Sequence, residues 1–231
     1  MSAGPIVVLV IGIAVVALVA VVSYRMDKKR RAALQAFGLS NGWAYSARDD
    51  SWCDRFTGAP FGEGDSRTAR NILRGPYEGT EMVAFDYCYE THSTDSKGRR
   101  NTTKHRFAVC ALGLKAALPG LELSPESLIT RLGNAIGFDD VELESEDFNR
   151  RYRVHAQDPK FAYDVLNPRT MQALLARPAL HMRLQGADAV SWSSGRLDPA
   201  ELLAHLSTLQ LVVAGIPSFV WSDHLSGGAP A

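Results

Sequence analysis

Several groups of residues in this chain are of types that do chemistry. Gly38-Leu39-Ser40-Asn41-Gly42 has the G-x-S-x-G spacing of a hydrolase nucleophile elbow. That elbow needs a strand entering the turn and a helix leaving it, so that the serine stands exposed on a strained corner. Here a helical pattern enters the turn, so the run reads as a helix C-terminus with Asn and Gly in the turn. Cys88, His92, His105 and Cys110 lie on one expected hairpin and are zinc-ligand types. Cys88 and His92 share a sheet face, but His105 and Cys110 are an odd number of residues apart and point to opposite faces. With no paired-cysteine spacing either, no metal site is expected, and Cys88 and Cys110 read as small packed hydrophobes. Asp139, Asp140, Glu142, Glu144, Glu146 and Asp147 form an acidic run without the glycine of a calcium loop, and it reads as the wet face of a strand. Gly62-Glu63-Gly64 lacks the third glycine and the preceding strand of a dinucleotide fingerprint. No cofactor is expected. The function classes are a binding or scaffold module and, as the alternative, an enzyme assembled from distant residues such as His92 or His155 with Asp86. The absence of a convergent set leans away from the enzyme.

Lys97, Arg99, Arg100, Lys104 and Arg106 surround Gly98 in a polar segment. Near a bilayer, each such charge contributes about 1 kcal/mol of attraction to anionic lipid. The competing reading is a loop kept soluble by its charge. The chain has 231 residues, 46% of them hydrophobic, with 25 basic and 25 acidic side chains. Arg25, Lys28, Lys29, Arg30 and Arg31 are gathered beside one acid, Asp27, which leaves 20 basic against 24 acidic elsewhere. That mildly acidic remainder argues against nucleic acid as a partner. The expected partners are the lipid bilayer and a protein.

The elements that must position these residues begin with an anchor. No charged side chain occurs from Met1 to Tyr24, and Ile6 to Val22 is unbroken apolar sequence. As a helix it covers, with its flanks, a hydrocarbon core of about 30 Å. In lipid the backbone must satisfy its own hydrogen bonds, which outweighs the weak helix propensity of Val and Ile. A cleaved signal peptide fits poorly, because no basic residue precedes the run and its end lacks a good small-residue cleavage site. The basic cluster Arg25, Lys28, Lys29, Arg30 and Arg31 follows the run at once. The positive-inside rule therefore puts the N-terminus outside and the rest in the cytoplasm of a single-pass cell-membrane protein. Three widely spaced cysteines suit that reducing compartment.

Beyond the anchor, helix and strand patterns alternate. Lys28 to about Asn41 reads as a helix. Arg48 to Arg67 is broken by Gly58, Pro60, Gly62 and Gly64. Ala69 to Arg74, Glu81 to Thr91 and Thr103 to Leu112 read as strands, the last two joined by a long loop over Ser93 to Thr102. In the middle one, Val83, Phe85, Tyr87 and Tyr89 face a core. Ser124-Pro125 carries a helix-start signature for the stripe Leu128, Ile129, Leu132 and Ile136. Val141 and Leu143, then Tyr152 to Ala156, alternate as strands, and Phe161 to Leu175 makes one or two helices around Asn167-Pro168. Leu180 to Leu184 and Val190 to Trp192 are two strands separated near Gly186. Asp198-Pro199-Ala200-Glu201 opens a last helix with Leu202, Leu206, Leu209 and Val213 inward.

The fold class expected is α+β: an N-terminal transmembrane helix, then a mostly antiparallel sheet or small barrel covered by helices, including a C-terminal amphipathic one. The divisions are 1–24 anchor, 25–42 juxtamembrane basic helix, 43–225 globular domain and 226–231 flexible tail.

Gly42-Trp43-Ala44-Tyr45, Arg55-Phe56-Thr57-Gly58-Ala59-Pro60-Phe61, Phe85-Asp86-Tyr87, Glu146-Asp147-Phe148-Asn149-Arg150-Arg151-Tyr152-Arg153-Val154, Asp164-Val165-Leu166-Asn167-Pro168 and Gly215-Ile216-Pro217-Ser218-Phe219-Val220-Trp221 occur in order. Together they resemble a family of uncharacterised actinobacterial proteins, over about Arg31 to Trp221. That family has no established reaction, cofactor or catalytic residue, so the resemblance implies a domain and no activity. The anchor stands on its own physics.

Overall fold

A computed structural model describes residues 3–126 and 139–226, with the side chains of 3–7, 10 and 226 left aside. Helix α1 (Ala3–Ser40) is continuous through the apolar run and the basic cluster. Strands β1 (Ala44–Arg48), β2 (Asp65–Tyr77), β3 (Thr80–Thr94) and β4 (Arg100–Pro125) follow, with one 3₁₀ turn at Asp50–Asp54. Then come β5 (Asp139–Asp140), α2 (Glu146–Arg151), β6 (Tyr152–Ala156), α3 (Pro159–Val165), α4 (Pro168–Leu175), β7 (His181–Ser194), α5 (Pro199–Gly215) and α6 (Ser218–Ser226).

The seven strands form one sheet, six in the order β1-β2-β3-β4-β6-β5 and β7 paired with β4 off that path, and every pairing is antiparallel. The long strand β4 is its spine. One edge pairs first with β3 (Leu112 opposite Met82) and then with β6 (Leu121 opposite Ala156), while β7 runs along the other edge. Three extra β4 residues bulge between Gly113 and Leu118, which bends the sheet there.

Both faces are covered. On the helix side, Leu34 of α1 and Leu202, Leu206 and Leu209 of α5 pack with Leu73, Ala84, Cys110 and Leu112, all buried. The other face holds an aromatic core of Phe56, Phe61, Phe85, Tyr87 and Trp192, roofed by the 50–62 segment. Phe85 and Tyr87 are thus inward as the alternation requires, against the aromatic core and away from the helices. Beneath that roof Arg183 makes two bonds to Glu122, at 2.9 and 2.7 Å, and donates to the carbonyls of Thr57, Gly58 and Ala59. Its charge is fully engaged and fixes the roof to β7.

Several boundaries differ from expectation. Ser124 and Pro125 are the last rungs of β4, opposite Arg153 and Tyr152. The expected stripe at Leu128, Ile129, Leu132 and Ile136 lies outside the described residues, as do 227–231 of the expected tail. The loop of the β3–β4 hairpin is shorter than Ser93 to Thr102, because both strands run on to Thr94 and Arg100. The acidic run keeps only two residues in β5, and Ser145 caps α2 through its hydroxyl. Strand β7 is continuous, turning through Gly186 at a positive φ of 55° that glycine adopts without strain.

Among the described residues no single helix is long and apolar enough to cross a membrane. The expected span Ile6 to Val22 depends partly on Ile6, Val7 and Val10, whose side chains lie outside the described residues. Helices α5 and α6, bent by 82°, qualify together by length and composition. Yet Leu202, Leu206, Leu209, Val212 and Val220 are buried on the sheet, which makes the pair a core element.

Candidate functional site

Glycine and aspartate bring α1 onto the sheet. A Cβ at Gly38 would meet Leu73 Cδ2 at 2.5 Å, so any larger residue there would have to displace the buried Leu73 side chain. Two turns earlier Arg30 extends to Asp86 of β3, at 2.6 Å to one carboxylate oxygen and 3.3 Å to the other. Asp86 also accepts from Asn71 Nδ2 and from the Leu197 amide, both at 2.6 Å. Arg30 in turn donates to the Leu197 carbonyl at 2.9 Å, and Asn71 accepts from Tyr45 at 2.9 Å. One carboxylate therefore ties together α1, β2 and the segment between β7 and α5. A further turn along, Asp27 pairs with Arg196 of that segment.

Beside this junction lies a groove of about 520 Å³ between α1 and the sheet. Seven basic and three acidic side chains line it. Arg30, Lys104 and Arg196 are each paired with one of the acids, Lys104 with Glu90 at 2.9 Å. That pairing holds the Glu90 carboxyl below its ordinary pKa.

The expected lipid-contact residues divide. Lys97 and Arg99 lie in the turn closed by Asp95, whose carboxylate accepts from both their amides and from the Arg99 side chain. Arg100, Lys104 and Arg106 are on β4, and Lys104 and Arg106 line the groove. Of the membrane-flanking set, Arg25, Lys28, Lys29 and Arg31 are exposed on α1, whereas Arg30 is the half-buried partner of Asp86.

The catalytic alternatives come apart. Ser40 ends α1, with its hydroxyl and Asn41 Nδ2 both donating to the Phe37 carbonyl, so the G-x-S-x-G run is a helix terminus. His92 meets Thr102 at 3.0 Å and His155 meets Asp140 at 2.9 Å, so neither reaches Asp86. Among the described residues no three His, Cys, Asp or Glu side chains gather as metal ligands. Sequence reasoning missed one Ser–His contact, Ser191 Oγ to His205 Nδ1 at 2.8 Å. Both are sealed between α5 and β7, and burial pushes the His205 pKa down to about 4. A substrate has no path to that serine, so the contact is structural. Burial likewise pushes the Cys110 thiol well up and keeps it un-ionised.

No protein-family model and no curated protein sequence matches the chain. Its fold is similar to that of the mycobacterial trehalose monomycolate transport factor A, TtfA, in its crystal structure, with a TM-score of 0.62 and 15% identity. The match covers 82% of this chain and 95% of that one. At that identity the likeness is one of fold.

Proposed function

We propose that this chain is a single-pass membrane protein whose cytoplasmic α+β domain is a binding or scaffold module for membrane machinery. In this reading Ile6 to about Ser23 spans the bilayer with the N-terminus outside, residues 43–225 form the module, and the chain belongs with the actinobacterial family it resembles. A neighbour of mycobacterial origin that is itself a transport factor supports a role assisting the movement of a lipid at the membrane. The observation that carries the reading is the junction of Arg30 with Asp86. It makes the apolar helix a direct extension of the folded core, while Leu9, Ile13, Val16 and Leu18 on that helix are 61–70% exposed. Apolar surface so extensive needs a cover, and lipid is the cover that its length and uniform character suit.

The same junction supports lipid contact by Lys97, Arg99, Arg100, Lys104 and Arg106. Going toward the N-terminus of α1, Gly38 meets Leu73, Arg30 meets Asp86, and Asp27 shares the groove with Glu90 and Lys104. The same order runs along β3 toward the hairpin turn, so hairpin tip and apolar run extend to the same side. From Asp86 to the turn the strand extends about 30 Å, against about 12 Å of α1 from Arg30 to Val22. By these lengths a hairpin inclined to the helix by up to about 60° would reach the headgroups. Fusing a reporter to the C-terminus tests the topology: activity in the cytoplasm is expected, and activity only outside it would overturn the orientation.

A further inference from the structure

We infer that the groove between α1 and the sheet is a binding site for a phosphomonoester, its anion held by Arg31, Arg70 and Arg106. The proposal deepens the membrane reading by naming a ligand class, and it stands on different residues from the hairpin turn. All three guanidinium groups line the groove, and among the described residues none makes a side-chain hydrogen bond or an ion pair. The nearby acids are already engaged: Asp86 by Arg30, Glu90 by Lys104, Asp27 by Arg196, and Asp50 by Arg48. Three unpaired positive charges around one concavity repel one another, and a multivalent anion relieves that repulsion. Arginine forks suit phosphate oxygens two at a time, which favours a phosphate over a carboxylate of lower charge. Arg30 Nε, on the same wall, is buried without an acceptor.

The placement fits two sources of one chemistry. Asp27, at the groove's outer end, is five residues or about 7.5 Å of helix beyond Val22. That depth matches the headgroup layer, some 5–8 Å thick on each side of the hydrocarbon. A phosphorylated lipid headgroup therefore meets the groove from the bilayer, and a soluble phosphate ester meets it from the cytoplasm.

The test uses the full chain in a nonionic detergent micelle, titrated by calorimetry with inorganic phosphate and, separately, with dioctanoyl phosphatidic acid. Dioctanoyl phosphatidylcholine is the zwitterionic control. Saturable binding of phosphatidic acid alone assigns the groove to a lipid headgroup. Saturable binding of inorganic phosphate, with or without phosphatidic acid, assigns it to phosphate of either source. The double variant Arg70→Gln, Arg106→Gln should weaken binding about tenfold or more per guanidinium removed. Arg70→Lys with Arg106→Lys should restore part of it, because the charge returns without the fork. These side chains are exposed, so an unchanged melting temperature will show that the variants fold. Changing Lys115 and Arg169, exposed cations outside this groove, to Ser should leave binding within about twofold. The inference is overturned if neither phosphate probe saturates, or if the Lys115 and Arg169 variant loses as much affinity as the groove variant. A chain soluble without detergent would sink the membrane reading but leave the phosphate titration able to stand.

Discussion

Arg30 on α1 and Asp86 at the middle of β3 form a forked ion pair 56 residues apart in sequence, the shorter contact being 2.6 Å. Their side chains are 25% and 14% exposed, so the pair is sheltered without being sealed. Because Asp86 also holds Asn71 and the Leu197 amide, its loss strands three donors at once.

Asp86→Asn should therefore destabilise the detergent-solubilised chain by about 2–4 kcal/mol, between the values for exposed and fully buried pairs. Chemical denaturation measures this. A double-mutant cycle with Arg30→Gln should show coupling of about 1 kcal/mol or more; additive losses would mean that the pair does not bind the helix to the domain.

Leu206 is fully buried where α5 crosses the sheet. Leu206→Ala should cost about 2–5 kcal/mol, read as a lower denaturation midpoint. An unchanged midpoint would contradict the packing of α5.

What the sequence revealed about the fold was what local chemistry decides. The alternation at Val83, Phe85, Tyr87 and Tyr89 marked β3, and Asp198 with Pro199 marked the start of α5, where the Asp198 side chain accepts from the Ala200 amide. Ser124 and Pro125 also complete β4, opposite Arg153 and Tyr152, a pairing with a strand nearly thirty residues on that local chemistry does not announce. Strand β1 went unseen because its five residues are mostly exposed, carry no large aliphatic side chain and depend on β2 for their hydrogen bonds. The candidate site was legible only as charge. Asp86 read as one wet position in an alternating strand. Its role depends on Asn71, brought beneath it by a β2 irregularity at φ +52°, and on Arg30, which reads as one more membrane-flanking cation.

Acid should unfold the chain through its buried histidines. Burial lowers the His205 pKa from 6.5 to about 4, and lowers that of His181 as well. Below pH 6.5 the unfolded chain takes up protons that the folded chain refuses, so stability is complete above that pH and falls toward pH 4. His205 alone accounts for about 3 kcal/mol across the window. Melting temperatures from pH 7 to 5 should fall more steeply for the unmutated chain than for His205→Asn. Equal slopes would show that His205 protonates freely in the fold.

The hairpin turn should meet anionic lipid. In nanodiscs containing phosphatidylserine, backbone amides 95–100 should exchange more slowly than in phosphatidylcholine discs. At about 1 M salt the Debye length shrinks to about 3 Å and the difference should vanish. Exchange indifferent to lipid charge would leave Lys97, Arg99 and Arg100 as solvated side chains.

The proposed membrane anchor is tested most directly by intact-mass analysis of the carbonate-washed membrane fraction. A chain that keeps Ile6 to Ser23 as its anchor stays in the membrane after the wash, with the mass of the uncleaved N-terminus. A mature chain beginning near Tyr24, or full-mass chain released into the wash without detergent, would contradict the anchor.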